Sequence, residues 1–250
     1  MSMSATLLLA SLKMENIENL KGIIFDYGGT IDSRGVHWSE VIFDGYLTVG
    51  LDIDKNLFRE VYVEAERELA RNRHIYPHHN FYDLLLIKMT LELGYLVERG
   101  ALEQVDVEKY APAIARYCYD AARECVEEAR PVLEALCARF PLVLVSNFYG
   151  NVEAVLTDFD LRKYFDDIIE SAVVGVRKPD PAIFRLGVEA LGMRPDEVLV
   201  VGDSLKKDIL PAESIGCHVA WIKGKGWTAD EDATMHPSQI GSLNELLDLL

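Results

Sequence analysis

The amino-acid sequence predicts an α/β fold, in which helices cover both faces of a parallel β-sheet and an all-helical subdomain is inserted after the first strand. Short apolar runs, typical of strands buried in a parallel sheet, alternate with helical segments in the second half of the chain. Between the first two such runs, residues 36–127 show helical periodicity alone. We therefore assign 21–35 and 128–250 to an α/β core, 36–127 to a helical subdomain, and 1–20 to an N-terminal extension.

The first predicted strand, Ile23–Phe25, is a short apolar run that stops at Asp26 and is followed by Gly28 and Gly29. A carboxylate at the carboxyl end of a buried parallel strand lies where open α/β sheets bind ligands. The glycines let the backbone turn sharply and bring its N–H groups close to an anion. The same pattern also occurs at purely structural corners, so the functional interpretation depends on residues elsewhere in the chain.

Four segments of the inserted region carry apolar residues at helical spacing. They are His37–Val49, Lys55–Arg73, Phe81–Leu96 and Val107–Glu127. Proline is favourable in the first turn of a helix, so we expect Pro131 to open a new helix that runs to about Arg139. That helix would begin the regular α/β part of the chain.

The second half of the chain alternates between predicted strands and helices. The strands are Leu142–Val145, a short stretch within Ile168–Val174, Val198–Val201 and His218–Ile222. The helices are Val152–Leu156, Pro181–Leu191 and Ile209–Ile215, with a terminal helix opened by a capping box at Ser242–Glu245. This alternation favours a parallel sheet with crossover helices.

The charge balance limits the partners of the protein. A formal net charge of −16 repels nucleic acids and anionic membranes, so we expect neither as a partner. An anionic substrate would need a local positive group, either a metal ion or a lysine. The four cysteines show no CxxC spacing, which favours buried, reduced thiols in a cytoplasmic protein, and we find neither a membrane span nor a signal peptide.

Polar residues follow three of the predicted strands: Asp26, Ser146 with Asn147, and Asp203 after Gly202. Because parallel strands end at the same edge of a sheet, these side chains should converge there. Two further residues join them, namely Lys178 from a loop just past another strand and Asp208 from near the start of the helix that follows Asp203. Carboxylate oxygens suit Mg²⁺, which bridges carboxylates to phosphate. The residues therefore predict a magnesium and phosphate site.

These residues occur in four motifs that resemble those of the haloacid dehalogenase-like (HAD) hydrolase superfamily. Its strand-Asp-x-x-x-Thr motif is met by Asp26–Thr30, its strand-Ser by Ser146, its Lys-Pro loop by Lys178–Pro179, and its Gly-Asp-Ser-x-x-x-Asp by Gly202–Asp208. All four stand in the order and spacing of the family. The resemblance implies a Rossmann-like core, and the helical insert resembles the C1-type cap of these proteins.

The resemblance also implies a chemical role for each catalytic residue. Asp26 would attack phosphorus in line and form an aspartyl-phosphate, which water then cleaves. Thr30 and Ser146 would hydrogen-bond the phosphoryl oxygens, and Lys178 would balance the charge beside Asp26. The substrate would be a small phosphorylated metabolite.

Further positions would bind the metal and the substrate. Mg²⁺ would be held by Asp26, the backbone carbonyl of Gly28, Asp203 and Asp208. The ion neutralises charge on the transferred group and orients it. The substrate-binding positions would be Gly28, Gly29 and Asn147.

The sequence departs from the pattern of the phosphatases of this family at one position. These enzymes carry a second aspartate, the general acid and base, two residues after the nucleophile, and here that position is Gly28. Losing a positioned acid–base group lowers the rate on the order of 10²–10⁴-fold. Either the leaving group needs no protonation, or turnover is slow, or another residue substitutes. Asp32 and His37 are the nearest candidates in sequence.

Four hypotheses follow from this departure. The first is a Mg²⁺-dependent phosphohydrolase, and the second is a binding or regulatory protein that keeps a phosphate pocket without useful turnover. A carbon–halogen hydrolase would also lack the second aspartate, but such enzymes need no metal and typically lack an aspartate at position 203. A phosphonate-cleaving enzyme would need a cap lysine, and neither Lys55 nor Lys88 lies in the matching motif of that branch.

Overall fold

The computed structural model describes residues 19–250, and its centre is a six-stranded sheet. The strands are β1 (Gly22–Phe25), β2 (Leu142–Ser146), β3 (Asp167–Glu170), β4 (Val198–Gly202), β5 (His218–Ile222) and β6 (Gln239–Ile240). They lie in the order β3-β2-β1-β4-β5-β6, and each neighbouring pair is parallel. The predicted parallel sheet is confirmed. The predicted N-terminal extension lies, apart from residues 19 and 20, outside the described residues.

Helices cover both faces of the sheet, as predicted. They are α1 (Trp38–Thr48), α2 (Lys55–Arg71), α3 (Phe81–Glu98), α4 (Gln104–Cys137), α5 (Val152–Asp158), α6 (Ser171–Val174), α7 (Ala182–Leu191), α8 (Leu210–Ser214), α9 (Ala229–Ala233) and α10 (Glu245–Leu249). Ile23 and Phe25 of β1 belong to an apolar core shared with α4, α5 and α10. Ile24, which points the opposite way, belongs to a second core shared with α7 and α8.

The central position of β1 explains why its sequence is apolar throughout. Ile23 pairs with Leu142 of β2 on one side and with Leu199 of β4 on the other, and all four residues of β1 are buried. A strand with neighbours on both sides and a core on both faces has no exposed position for a polar side chain. The three strands β1, β2 and β4 therefore end next to one another at the same edge.

The first three helices of the insert end within two residues of their predicted bounds. Local capping explains where they begin. The Asp54 carboxylate accepts hydrogen bonds from two backbone N–H groups at the start of α2. At the start of α3, Asn80 and Asp83 form a reciprocal capping box.

The prediction that Pro131 opens a new helix is wrong, because α4 runs without interruption from Gln104 to Cys137 and contains Pro131. A proline inside a helix costs about 3 kcal/mol. The buried apolar stripe continues at helical spacing across it, through Val126, Ala129, Val132, Leu133 and Leu136, and its burial outweighs that cost. The boundary predicted between residues 127 and 128 falls inside this helix.

The end of the chain also differs from its prediction. Glu245 accepts hydrogen bonds from the backbone N–H groups of Gly241 and Ser242, but α10 begins at Glu245 itself and Ser242 is not its cap. The segment predicted as a helix from Ile209 begins as a π-helical turn, Leu205–Ile209, before α8. The sequence did not predict α9 or β6, because five and two residues are too short to show a period.

All four cysteines are free thiols. Cys118, Cys125 and Cys217 are buried as predicted, whereas Cys137, the last residue of α4, is exposed, so the prediction was wrong for it. Among residues 19–250, no helix combines the length and the apolar character needed to cross a lipid bilayer.

Two charged residues of α3 are buried inside the insert. The Lys88 ammonium pairs with Glu66 of α2 and lies 4.4 Å from the centre of the Tyr62 ring. One carboxylate oxygen of Glu92 accepts a hydrogen bond from the Tyr46 hydroxyl at 3.2 Å, and its other oxygen is buried with no partner in the described part of the chain. Burial raises the pKa of Glu92 to about 8, although the charge of Lys88 opposes the shift.

We expect Glu92→Gln to stabilise the protein more as the pH rises. Because the folded-state pKa of Glu92 lies above its unfolded value, its contribution to stability is full at acidic pH and is lost as the pH rises through about 8. The gain in free energy of unfolding from the substitution should therefore be larger at pH 9 than at pH 5, by about 4 kcal/mol. Urea denaturation at both pH values measures it, and Glu98→Gln, at the exposed end of α3, should show no such difference.

Candidate active site

A cavity of about 830 Å³ opens at the carboxyl edge of the sheet, where β1, β2 and β4 end. Core residues Asp26, Ser146, Lys178, Asp203 and Asp208 line one side of it. The insert contributes the other side through residues that include Trp38, Glu66 and Lys88. The strand-end residues that the sequence predicted to converge therefore share one cavity.

Asp26 is held by two donors that come from distant parts of the chain. The Ser146 hydroxyl donates to Asp26 Oδ1 at 2.9 Å, and Lys178 Nζ lies 2.7 Å from the same oxygen. Lys178 Nζ also lies 2.6 Å from Asp208 Oδ1. Burial lowers the pKa of Lys178, but the carboxylates of Asp208 and Asp26 outweigh it and hold the pKa above its usual value. The lysine is therefore a permanent cation beside Asp26.

Three carboxylates meet at this point of the cavity. Asp26, Asp203 and Asp208 each place one oxygen within 4.8 Å of the others. Burial, with the negative charges of Asp208 and Asp26, raises the pKa of Asp203 well above its usual value. Burial also raises the pKa of Asp208, and the charge of Lys178 opposes that shift. When all three carboxylates are ionised, the one ammonium leaves an excess of two negative charges, and a hard divalent cation such as Mg²⁺ would favour that ionised state, so the oxygen-rich cluster fits such an ion.

The glycine-rich turn after β1 brings the backbone against Asp203. Gly29 has φ +92°, and a Cβ atom built on it would lie 2.4 Å from the Asp203 carboxylate, so a side chain is excluded there. A Cβ atom on Gly28 would meet nothing within 4 Å. Position 28 therefore has room for a side chain, such as the aspartate that phosphatases with the same motif carry there. Thr30 donates to Asp203 Oδ1 over a long 3.4 Å contact.

Asn147 lines the cavity, but its amide is already engaged. Its Nδ2 donates to the backbone oxygen of Lys178 at 3.1 Å, and its Oδ1 accepts from the Lys178 N–H at 2.9 Å. These bonds dock the Lys178 loop onto the end of β2. The side chain of Asn147 thus positions Lys178, and its predicted contact with substrate stays a prediction.

The two candidate acid–base residues differ sharply. The ring of His37 is 2.8 Å from the Ser39 hydroxyl through Nδ1, and burial lowers the pKa of His37 to about 4, so this ring is uncharged near neutral pH. Asp32 is buried and accepts hydrogen bonds through Oδ1 from the N–H of Gly29 (2.7 Å) and Nε1 of Trp38 (3.1 Å). Its Oδ2 is buried without a partner among the described residues.

Sequence analysis missed the part of the cavity that faces the carboxylates. Glu66 accepts from the Tyr149 hydroxyl at 3.0 Å, which connects the insert to the loop after β2. Lysines 206, 207 and 223 also line the cavity, although the chain is strongly acidic overall. Lysines 206 and 207 occupy variable positions of the Gly202–Asp208 motif, so the motif does not single them out, and Glu66 lies beside the core only because the insert docks there.

A protein-family model and several curated proteins match parts of this chain. A family model described as haloacid dehalogenase-like hydrolase matches residues 20–216. A glyceraldehyde 3-phosphate phosphatase of Methanocaldococcus jannaschii is 36% identical over 91 residues, which is 36% of this chain and 40% of that protein. The matched stretches cover less than half the length of the first curated relatives.

Two solved structures share the fold across almost the whole chain. The magnesium-bound HAD-hydrolase YfnB from Bacillus subtilis superposes with a TM-score of 0.58 at 17% identity, covering 93% of this chain and 99% of that one. A dehalogenase solved as an intermediate complex superposes with a TM-score of 0.62 at 21% identity, covering 93% and 97%. At these identities the likeness establishes the fold alone.

Proposed function

The chain belongs to the haloacid dehalogenase-like hydrolase family, and from that premise we propose that it is a Mg²⁺-dependent phosphohydrolase of a small phosphorylated metabolite. One observation carries the proposal: Asp26, Asp203, Asp208 and Lys178 meet in a single cavity at the ends of the central strands. A nucleophilic carboxylate, a buried cation and an acidic metal cluster are the parts that phosphoryl transfer requires.

In this proposal Asp26 is the nucleophile and forms an aspartyl-phosphate. Ser146 and Lys178 hold its carboxylate in place. Thr30 and Ser146 donate hydrogen bonds to the phosphoryl oxygens, and the backbone of Gly28 and Gly29 lies beside them. The insert closes the cavity from the opposite side and limits the access of water.

The metal would be held by the carboxylates of Asp26, Asp203 and Asp208, with the backbone carbonyl of Gly28. When bound, Mg²⁺ would supply positive charge that orients the phosphoryl group and offsets its negative charge. The excess of two negative charges in the cluster supports this assignment. It also disfavours a carbon–halogen hydrolase, which would need neither metal nor Asp203.

Metal removal tests the proposal directly. We expect orthophosphate release from a panel of aryl and alkyl phosphates to fall to the uncatalysed rate in EDTA and to return when Mg²⁺ is added in excess. Chelation removes the charge that the acidic cluster requires. Phosphate release that is insensitive to EDTA, or halide release from 2-haloacids without metal, would contradict the assignment.

Gly28 favours one second candidate, a regulatory protein that is phosphorylated on Asp26 but does not turn over. Stoichiometric incorporation of phosphate from acetyl phosphate, or capture of beryllofluoride, with no continuing release of phosphate would support it. Continuous release over many equivalents would support the enzyme.

A further inference from the structure

We propose that Glu66 recognises the leaving group of the substrate, and that this leaving group is a small uncharged alcohol that carries further hydroxyl groups. The inference rests on the proposed phosphohydrolase function and names the substrate class of the same site. Glu66 of α2 lines the cavity that Asp26 and Lys178 line from the core. Its side chain is 34% exposed, so a ligand in the cavity can touch it.

The carboxylate of Glu66 is held in place by two donors. The Lys88 ammonium pairs with Oε1, and the Tyr149 hydroxyl lies 3.1 Å from Oε1 and 3.0 Å from Oε2. Among residues 19–250, Oε2 accepts from Tyr149 alone. Because a carboxylate oxygen can accept two hydrogen bonds, Oε2 retains one position for a ligand.

The charge state of Glu66 decides which groups can bind there. Burial raises the pKa of Glu66, but the charge of Lys88 and the hydrogen bonds from Lys88 and Tyr149 outweigh burial and hold the pKa below its usual value. An ionised carboxylate accepts hydrogen bonds and donates none. The ligand group on Oε2 must therefore be a donor, either a hydroxyl or an ammonium, and a ligand carboxylate is repelled.

The positive charge near Glu66 favours a hydroxyl over an ammonium. The buried ammonium of Lys88 already lies against Oε1, and the charge of Lys207 also acts on Glu66. A ligand ammonium at Oε2 would be repelled by both lysines. A hydroxyl supplies the same hydrogen bond without adding a positive charge.

The insert surrounds Glu66 with apolar surface on its side of the cavity. Trp38, Phe81, Leu84 and Leu85 line it. The Trp38 Nε1 group already donates to Asp32 at 3.1 Å. This surface suits the carbon skeleton of an alcohol, with its hydroxyls turned towards Glu66. A cavity of about 830 Å³ is large enough for a whole small molecule and not only for a phosphoryl group.

A purely structural role for Glu66 makes a different prediction. The bonds to Lys88 and Tyr149 also tie α2 to α3 and the insert to the loop after β2. Weakening such a tie would change the hydrolysis of every ester equally. Recognition by Glu66 would change the hydrolysis of hydroxylated esters alone. The readout is therefore the ratio of kcat/KM for a polyol ester to kcat/KM for the alkyl ester of the same length.

The test measures Mg²⁺-dependent phosphate release from the terminal phosphate esters of glycerol, erythritol, ribitol and sorbitol, each paired with the n-alkyl phosphate of the same carbon number. For at least one pair, we expect the polyol ester to be preferred by about 10–100-fold in kcat/KM, as for a hydrogen bond to a charged group. Aminopropyl phosphate and phosphoglycolate, which offer an ammonium and a carboxylate, should not exceed the alkyl esters of their length.

A double variant then assigns the preference to Glu66. Glu66→Met combined with Lys88→Met removes the acceptor without leaving an unpaired buried ammonium. We expect the preferred polyol ester to fall to within about twofold of its alkyl partner, while kcat/KM for the alkyl ester is retained. Glu64→Met is the matched control, because Glu64 also lies on α2 but pairs with Arg99 outside this cavity. It should keep the preference.

The outcomes separate the two proposals. If the unchanged enzyme hydrolyses alkyl esters but prefers no polyol ester, the role of Glu66 is refuted and the proposed function stands, whether or not the double variant folds. A folded double variant that keeps the preference refutes that role too, and so does a preference for aminopropyl phosphate or phosphoglycolate. If the unchanged enzyme releases phosphate from none of these esters and from no aryl phosphate, the proposed function fails and the inference fails with it.

Discussion

Replacing Asp26 by asparagine is expected to abolish phosphate release, with a loss on the order of 10⁴–10⁶-fold in kcat, as for other nucleophiles. The amide is almost isosteric with the carboxylate and can still accept a hydrogen bond from Ser146, but it cannot form the aspartyl-phosphate. The effect should appear in the phosphorylation step itself. The protein should therefore incorporate no phosphate with the stability of an aspartyl-phosphate, which survives in acid and is cleaved in alkali.

The control for this variant is Asp52→Asn, which makes the same change at an exposed aspartate before α2 and should leave kcat unchanged. Circular dichroism should show that Asp26→Asn is folded, because β1 is held by apolar residues on both faces. Metal-dependent activity above about 1% of the original in purified Asp26→Asn would contradict the assignment of the nucleophile.

Replacing Lys178 by methionine is expected to have the next largest effect, on both stability and catalysis. Lys178 is 3% exposed and its ammonium lies between Asp26 and Asp208, so its loss leaves three carboxylates together without a cation. Removing one partner of a buried ion pair costs about 3–5 kcal/mol of unfolding free energy. Activity should fall on the order of 10²–10³-fold, as when one electrostatic contact to the transition state is lost.

Magnesium distinguishes this explanation from a simple loss of packing. A divalent cation should bind the more negative cluster of Lys178→Met and recover part of the lost stability, as measured by urea denaturation with and without Mg²⁺. Lys163→Met removes a lysine that pairs with Asp160 on the surface, and it should be as stable as the original protein. If Lys178→Met were equally stable and active, Lys178 would not be the charge-balancing group.

Local patterns explain why much of the fold was predictable. Each central strand is a short apolar run bounded by polar or turn residues, as at Ile23–Phe25 before Asp26, and burial on both faces permits nothing else. Helix starts at Asp54 and Asn80 follow from capping side chains within a few residues of them. The convergence of Asp26, Ser146 and Asp203 was predictable because parallel strands share one carboxyl edge.

The wrong predictions share a cause: each relied on the usual preference of a residue type, and the packing of distant segments overrode that preference. Proline favours a helix start, but the burial of Val132, Leu133 and Leu136 holds α4 continuous through Pro131. Cysteine is usually buried, but Cys137 lies at the exposed end of that helix. Asn147 is a different case, because its predicted contact with substrate stays a prediction; its amide bonds the backbone of Lys178, which is 31 residues away in the chain.

The sequence by itself determined the parallel sheet, the helical insert, and the aspartates, serine and lysine of the candidate site. Hydrophobic periodicity and the alternation of strands with helices can both be recognised from short stretches of sequence. Only the tertiary structure decided that Lys178 lies between two carboxylates, that Lys88 and Glu66 of the insert line the same cavity, and that one oxygen of Asp32 has no partner among residues 19–250. These features arise from desolvation and from contacts between residues far apart in the chain. Neither the desolvation nor the contacts can be recognised from a short segment of sequence.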